Sequence, residues 1–159
     1  NKDKNILKMA VIKSCKIKSQ IVSKDEREEN LRMILNFGHT FAHGFEAAKN
    51  FSKKISHGEA VLLGMTVANK LSYDKKILSL KDFMLVKKHY FNLNLPIKMS
   101  QFFKRKEIDK IIYFMKKDKK NLNEKINLIL LKKIGKTTNP NSFNISSHAL
   151  KSFLTKNYT

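Results

Sequence analysis

The fifteen residues from Arg32 to Glu46, RMILNFGHTFAHGFE, constrain this chain more than any other stretch. Read as one helix, they set Arg32, Asn36, His39, His43 and Glu46 at successive spacings of four, three, four and three. At roughly 100° per residue these five side chains fall within about 80° of one another, in a single stripe. Ile34, Phe37, Phe41 and Phe45 lie opposite it, with Leu31, Leu35, Gly38 and Ala42 on one flank and Met33, Thr40 and Gly44 on the other. A helix that is apolar nearly all round is normally buried. Buried polar groups without partners cost free energy, so the stripe calls for an internal recipient, namely a polar cavity holding a metal, a ligand or both. A blander reading makes both histidines satisfied core residues and pairs Arg32 with a nearby acid. Four functional-type side chains on one face favour a site. Spacing alone does not separate a metal-ligating histidine from a proton-transferring one.

A second motif supports the same chemistry. Ser56-His57-Gly58-Glu59 has the spacing of a capping box, with Ser at the N-cap and Glu three residues on, ahead of an apolar run from Ala60 to Leu71. His57 then sits in the first helical turn, where the helix dipole disfavours imidazolium. A neutral imidazole is the form that coordinates metal. A surface histidine after a loop fits this short motif equally well.

Charge points elsewhere at first. Against 13 acidic residues stand 33 basic ones, a formal net charge of +20, which suggests nucleic acid or an anionic surface. Thirty of those are Lys, however, and only Arg27, Arg32 and Arg105 offer the forked guanidinium that readers of bases and phosphates favour. The lysines are also spread along the whole chain, as on a solvated surface. The single Cys15 excludes an intramolecular disulfide and fits a reducing cytoplasm. No apolar run approaches membrane-spanning length, and no secretory signal is present. Five scattered glycines leave no Gly-rich phosphate cradle or dinucleotide fingerprint. The chain opens Asn-Lys-Asp without an initiator Met, directly into helical pattern, so a fragment lacking its N-terminal part is expected.

The periodicity predicts a mainly α fold over 159 residues, taken as one domain. Helices are expected over 5–22, 32–50, 57–71, 79–92, near 100–104, and over 107–116 with Ile108, Ile111, Ile112 and Met115 inward. Asp25 and Glu28 are spaced as a capping pair in the charged break before the organising stretch. One strand is expected over 126–131, turned into a short hairpin at Ile134-Gly135, and Ser146 is placed to cap a closing helix. Lys18 lies on the apolar side of its helix, where periodicity favours an outward-snorkelling side chain. His89 reads as a surface residue, His148 has no role, and the run from Lys117 to Asn121 reads as a solvated loop.

In order and spacing, these motifs resemble the 3-dehydroquinate synthase family. The matching text is Lys18 followed by Ile21-Val22, then Asp25 and Glu28, Arg32-x-x-x-Asn36-Phe-Gly-His39-Thr-Phe-x-His43-x-x-Glu46, His57-Gly-Glu-Ala-Val61 and Gly64-Met65. It continues through Leu95-Pro96, Asp118-Lys119-Lys120, Leu130-Leu131 and Ile134-Gly135. One departure is Ala42, where the family usually has Gly, and a small packing adjustment is expected there. The resemblance implies the C-terminal helical domain of a two-domain enzyme, with the NAD-binding α/β domain absent from this chain. It implies conversion of 3-deoxy-D-arabino-heptulosonate 7-phosphate to 3-dehydroquinate and phosphate in the shikimate pathway, with Zn2+ (or Co2+) and NAD, by a cytoplasmic homodimer.

Carried over by residue, His39 and His57 are implied as two of three metal ligands, the third being a Glu of the missing half. His43 is implied beside the substrate phosphate, assisting proton movement. Arg32 and Lys18 suit the substrate carboxylate and Asn36 the carboxylate or phosphate end. Lys119 or Lys120 is implied as a phosphate contact, and Glu28 as an acid that orients the basic cluster. These implications override the outward reading of Lys18 and the loop reading around Lys119 and Lys120. The chain alone is expected to be inactive and to bind NAD negligibly. The alternatives are another sugar-phosphate cyclase, of the 2-deoxy-scyllo-inosose or 2-epi-5-epi-valiolone synthase type, and a basic helical nucleic-acid-binding module. Lys18 and Arg32 together favour a carboxylate-bearing substrate over the first. The stripe argues against the second.

Overall fold

A computed structural model describes residues 3–117 and 125–158. The chain divides into two compact units, Asn1–Leu35 and Asn36–Thr159.

In the first unit, α1 (Lys4–Val22) begins where the Asp3 carboxylate accepts the Asn5 N–H at 2.8 Å, and it buries none of its residues. The charged break that follows is organised by one side chain. Asp25 accepts the backbone N–H groups of Glu29, Asn30 and Arg32 at 3.0, 2.9 and 2.8 Å. Those hydrogen bonds, that of Arg32 foremost, hold its carboxyl below the usual carboxylate range. The Asp25 carboxylate thus gathers the backbone of the turn, and the Glu28 N–H donates to the Asp25 carbonyl at 3.4 Å. Glu28 takes a left-handed backbone, at φ 58°.

The organising stretch is not one helix. Leu31–Asn36 form a 3₁₀ helix, Gly38 turns left-handed at φ 83°, and α2 runs only from His39 to Ala48. The break has two physical causes. Gly38 tolerates the positive φ without strain, and its backbone presses on the middle of the next long helix, α3 (His57–Asp74). A Cβ on Gly38 would lie 2.7 Å from the Met65 amide nitrogen, and one on Gly64 would lie 2.2 Å from the Gly38 carbonyl oxygen. The two glycines let backbone pack on backbone, which sets α2 against α3.

The capping box at the start of α3 forms as expected. The Glu59 N–H donates to Ser56 Oγ at 3.3 Å, and the Ser56 N–H donates to Glu59 Oε2 at 2.8 Å. Around α2 and α3 gather α4 (Leu80–Asn92), capped by Ser79, and α5 (Ile108–Lys117), whose Ile108, Ile111, Ile112 and Met115 are all buried. Between them, 3₁₀ turns at Met99–Gln101 and Arg105–Glu107 replace the short helix expected near 100–104. Phe41, Phe45, Leu63, Leu71, Ile111 and Met115 fill the centre of the core. At its edge, Lys49 Nζ donates to Glu107 at 2.8 Å and lies 4.6 Å from the centre of the Phe103 ring.

The expected strand over 126–131 is divided. Strand β1 (Lys125–Asn127) pairs antiparallel with β4 (Asn144–Ser146), Ile126 opposite Ile145. Strands β2 (Leu131–Lys133) and β3 (Lys136–Thr137) make the expected hairpin through Gly135, at φ 80°. Between β1 and β2, Leu128, Ile129 and Leu130 are buried, and their backbone finds other partners. Leu128 donates to the Phe143 carbonyl at 3.0 Å, while Leu130 exchanges hydrogen bonds with Thr138. Helix α6 (Ser147–Lys156) closes the unit, with the Ser146 hydroxyl as its cap. Among the described residues no helix is long and apolar enough to cross a membrane.

Candidate functional site

The left-handed turn at Gly38 makes His39 the first residue of α2, and His43 follows one helical turn later. The capping box places His57 at the first position of α3. Because α2 and α3 are locked at Gly38 and Gly64, these two helix starts lie side by side. The His39 and His57 ring centroids are 5.7 Å apart, and those of His39 and His43 are 6.0 Å apart, edge to face. Three imidazoles from two helices thus meet in one place.

Each ring has a distinct environment. His39 is half-buried, whereas His43 and His57 are exposed. Burial, with help from the neighbouring imidazoles, pushes the His39 pKa below the usual histidine range, against the opposing backbone of Phe37 and carboxylate of Glu46. His39 is therefore neutral at pH 7, and its Nδ1 is buried without a hydrogen-bond partner. His57 Nδ1 lies 3.0 Å from Glu46 Oε1, and the Glu46 side chain is only 16% exposed. A carboxylate accepts and does not donate, so in the neutral ring this contact selects the tautomer with its proton on Nδ1 and its lone pair on Nε2. This carboxylate–imidazole pair is the usual way a protein orients a metal-ligating histidine.

The donor set fits a divalent ion of the zinc type in part. Metal–nitrogen bonds near 2.1 Å in tetrahedral geometry set two imidazole centroids roughly 5 Å apart, close to the spacing of His39 and His57. The orphaned His39 nitrogen and the oriented His57 ring supply two imidazole donors. Among the described residues, no group of three or more His, Cys, Asp and Glu side chains is arranged to hold a metal ion.

Asn36 ends the 3₁₀ helix just ahead of His39 and is half-buried. Lys18, Glu28 and Arg32 belong to the first unit. There Lys18 is exposed on α1, and the Arg32 guanidinium donates to the Glu26 carbonyl at 2.7 Å. Lys119 and Lys120 lie outside the described residues. The expected enclosing apolar surface is also thinner than the helical wheel suggests, since no residue of Leu31–Asn36 is buried. Two contributors carried no role in the sequence reading. Glu46 had a place in the stripe but no partner, because its contact with His57 spans a loop, and the Gly38–Gly64 contact has no local signature at all.

Comparison with solved structures defines the class. A structure of 2-deoxy-scyllo-inosose synthase complexed with carbaglucose-6-phosphate, NAD+ and Co2+ matches with a TM-score of 0.68 and 26% identity, over 88% of this chain and 38% of that one. A second structure of 2-deoxy-scyllo-inosose synthase matches in fold, with a TM-score of 0.67 and 23% identity over 88% of this chain and 36% of that one. The fold is that of part of a sugar-phosphate cyclase. The family is narrower. The model of the 3-dehydroquinate synthase C-terminal region matches residues 1–121. The 3-dehydroquinate synthase of Pelagibacter ubique is 46% identical over 153 residues, covering 96% of this chain. That of Dictyoglomus thermophilum is 42% identical over 142 residues, covering 86%. The chain belongs to the 3-dehydroquinate synthase family, and it spans 41% and 37% of the length of those two relatives.

Proposed function

We propose that this chain supplies the metal- and substrate-binding part of a 3-dehydroquinate synthase, a carbon–oxygen lyase that converts 3-deoxy-D-arabino-heptulosonate 7-phosphate to 3-dehydroquinate and phosphate. The observation that carries the proposal is the convergence of His39, His43 and His57, in the order and spacing of the family motif, with the His43 and His57 ring centroids 6.0 and 5.7 Å from that of His39. On this reading His39 and His57 hold Zn2+ or Co2+, and the third ligand comes from an NAD-binding α/β domain outside this chain. When bound, the metal polarises substrate oxygens as a Lewis acid and NAD accepts and returns a hydride.

The chain's own residues then have separable tasks. Neutral His39 and the Glu46-held His57 offer lone pairs at fixed positions. His43 stands beside them to receive or return a proton near the leaving phosphate. Arg32 and Lys18 pair with the substrate carboxylate, Asn36 donates an amide N–H to the carboxylate or phosphate end, and Lys119 or Lys120 contacts phosphate. Glu28 orients the basic groups. The chain alone is inactive on this reading and the working enzyme is a cytoplasmic homodimer.

Phosphate release by the full-length protein containing this chain tests the reading. Turnover of the heptulosonate phosphate is expected, with loss in Arg32→Ala larger than for a substrate lacking a carboxylate. Turnover of a hexose 6-phosphate with none of the heptulosonate would place the chain with the other cyclases. Binding to arbitrary DNA that falls steeply with salt, without turnover of either sugar, would select the nucleic-acid module.

A further inference from the structure

The far end of α3 faces a second cavity. It has a volume of about 650 Å³ and lies among α3, α4, the 3₁₀ turn at Met99 and α6. Asn69, on its wall, is twelve residues beyond His57, or ~18 Å along the helix. The cavity and the histidine cluster share no residue.

Three features describe what it would hold. The walls are mainly apolar, with Val67, Phe83, Met84, Phe91 and Phe153 among them. Phe91 is 74% exposed and Met84 49%, so apolar surface remains open to a ligand at the mouth. Lys87, Lys88, Lys98 and Lys156 also line the cavity, and no Asp or Glu does. A fifth lysine, Lys70, is already paired with Asp74. The third feature is Asn69. It is 4% exposed, and its Oδ1 is buried with no hydrogen-bond partner. A buried acceptor left unmade costs free energy, and native proteins carry few of them. A donor entering the cavity would satisfy it.

We propose that this cavity binds a small amphiphilic anion, with an apolar ring-sized body, one N–H or O–H donor directed at Asn69 and an acidic group held by the lysines. Its volume falls within the range of small-molecule pockets, which runs from roughly 300 to 1,000 Å³. A purely apolar occupant would leave both Asn69 and the cationic wall unused. The site is independent of the histidine cluster, so its occupancy can be measured whatever that cluster does.

The probe is indole-3-propionate, compared with its uncharged amide and with its N-methyl derivative. The chain contains no Trp, so the probe's fluorescence reports binding against little background. Saturable binding of the acid is expected with a Kd on the order of 0.1 mM, the affinity ordinary ligand efficiency gives a molecule of this size. The amide and the N-methyl compound should each bind roughly 10-fold more weakly, the factor carried by one charge-assisted or neutral hydrogen bond. Asn69→Leu keeps the side-chain volume and should remove the discrimination between N–H and N-methyl. The double variant Lys98→Gln/Lys156→Gln should remove that between acid and amide. Amide shifts of labelled protein should cluster at Thr66–Lys70 and Met84–Phe91, and His39→Ala should bind the probe unchanged. Absence of saturable binding in the millimolar range overturns the proposal. So does equal binding of all three compounds, or shifts centred on the histidines. Concentration-dependent self-association lost in Phe91→Lys would assign the groove to a second copy of the chain and overturn it equally.

Discussion

Two helices of nearly equal length have opposite fates. The 19-residue α1 buries nothing, and its Ile6, Leu7, Val11, Ile12 and Ile17 are all more than half exposed. The 18-residue α3 buries eight residues, among them Ala60, Gly64, Ala68 and Ser72. Apolar content does not explain the difference, because both helices carry an apolar period. What distinguishes α3 is small residues at the crossing point, which bring α2 within backbone contact and exclude water from everything around them. Burial follows close approach, and close approach depends on what the helix lacks at Gly64.

This comparison can be broken most severely at that glycine. Gly64→Ala drives a methyl group into the Gly38 carbonyl, and neither backbone has room to yield. Overpacking of this kind is expected to cost about 3 kcal/mol or more, lowering Tm by roughly 10 °C. Thermal unfolding followed by circular dichroism checks it, and an unchanged Tm would mean that the α2–α3 crossing has slack. Because the same contact sets the two helix starts side by side, Co2+ binding should weaken in the folded fraction.

The next effect leaves the core untouched. If His39 and His57 hold the metal as proposed, His39→Ala should weaken Co2+ binding by about 100-fold or more, while His43→Ala keeps its metal. Glu46→Gln should weaken it by roughly 10–100-fold, because the amide no longer forces the His57 proton onto Nδ1. Visible absorption of Co2+ titrated into the full-length protein separates the three variants. Metal-free His43→Ala beside loaded His39→Ala would exchange their roles.

A smaller effect tests the edge of the core. Burial pushes the Glu107 carboxyl upward, but hydrogen bonds from the Lys104 N–H and the Lys49 ammonium outweigh it, and the pKa ends below the usual glutamate range. A depressed folded pKa means stability that is present above the ordinary glutamate range and lost as pH falls through the folded value. Lys49→Met should therefore cost about 1–2 kcal/mol at pH 7 and less at pH 3. Urea unfolding at the two pH values reads this directly, and a pH-independent loss would make Lys49 a packing residue over Phe103 instead. Smallest of all, Ile12→Ser on α1 should change stability by under about 0.5 kcal/mol, the usual range for an exposed position. A loss comparable to that of Gly64→Ala would show that α1 is held by its apolar face.

The sequence by itself determined the features that close within a few residues. Ser56, Ser79 and Ser146 cap their helices because an N-cap hydroxyl needs only the N–H groups three residues on. The α5 face of Ile108, Ile111, Ile112 and Met115 follows from period alone, and the Gly135 hairpin from its turn. His39, His43 and His57 were legible as candidates because helical spacing and a capping box are both local signals. The tertiary structure decided everything that spans a loop. It broke the apparent helix over 32–46 at Gly38, because a glycine that looks like a flank residue on a helical wheel is also the one residue able to turn left-handed against Gly64. It joined β1 to β4 across the hairpin between them, and it gave Glu46 its imidazole. A helical wheel records angle around one axis and carries no information about which second axis lies against it. That crossing, fixed here by two missing methyl groups, brought three separate histidines into one cluster.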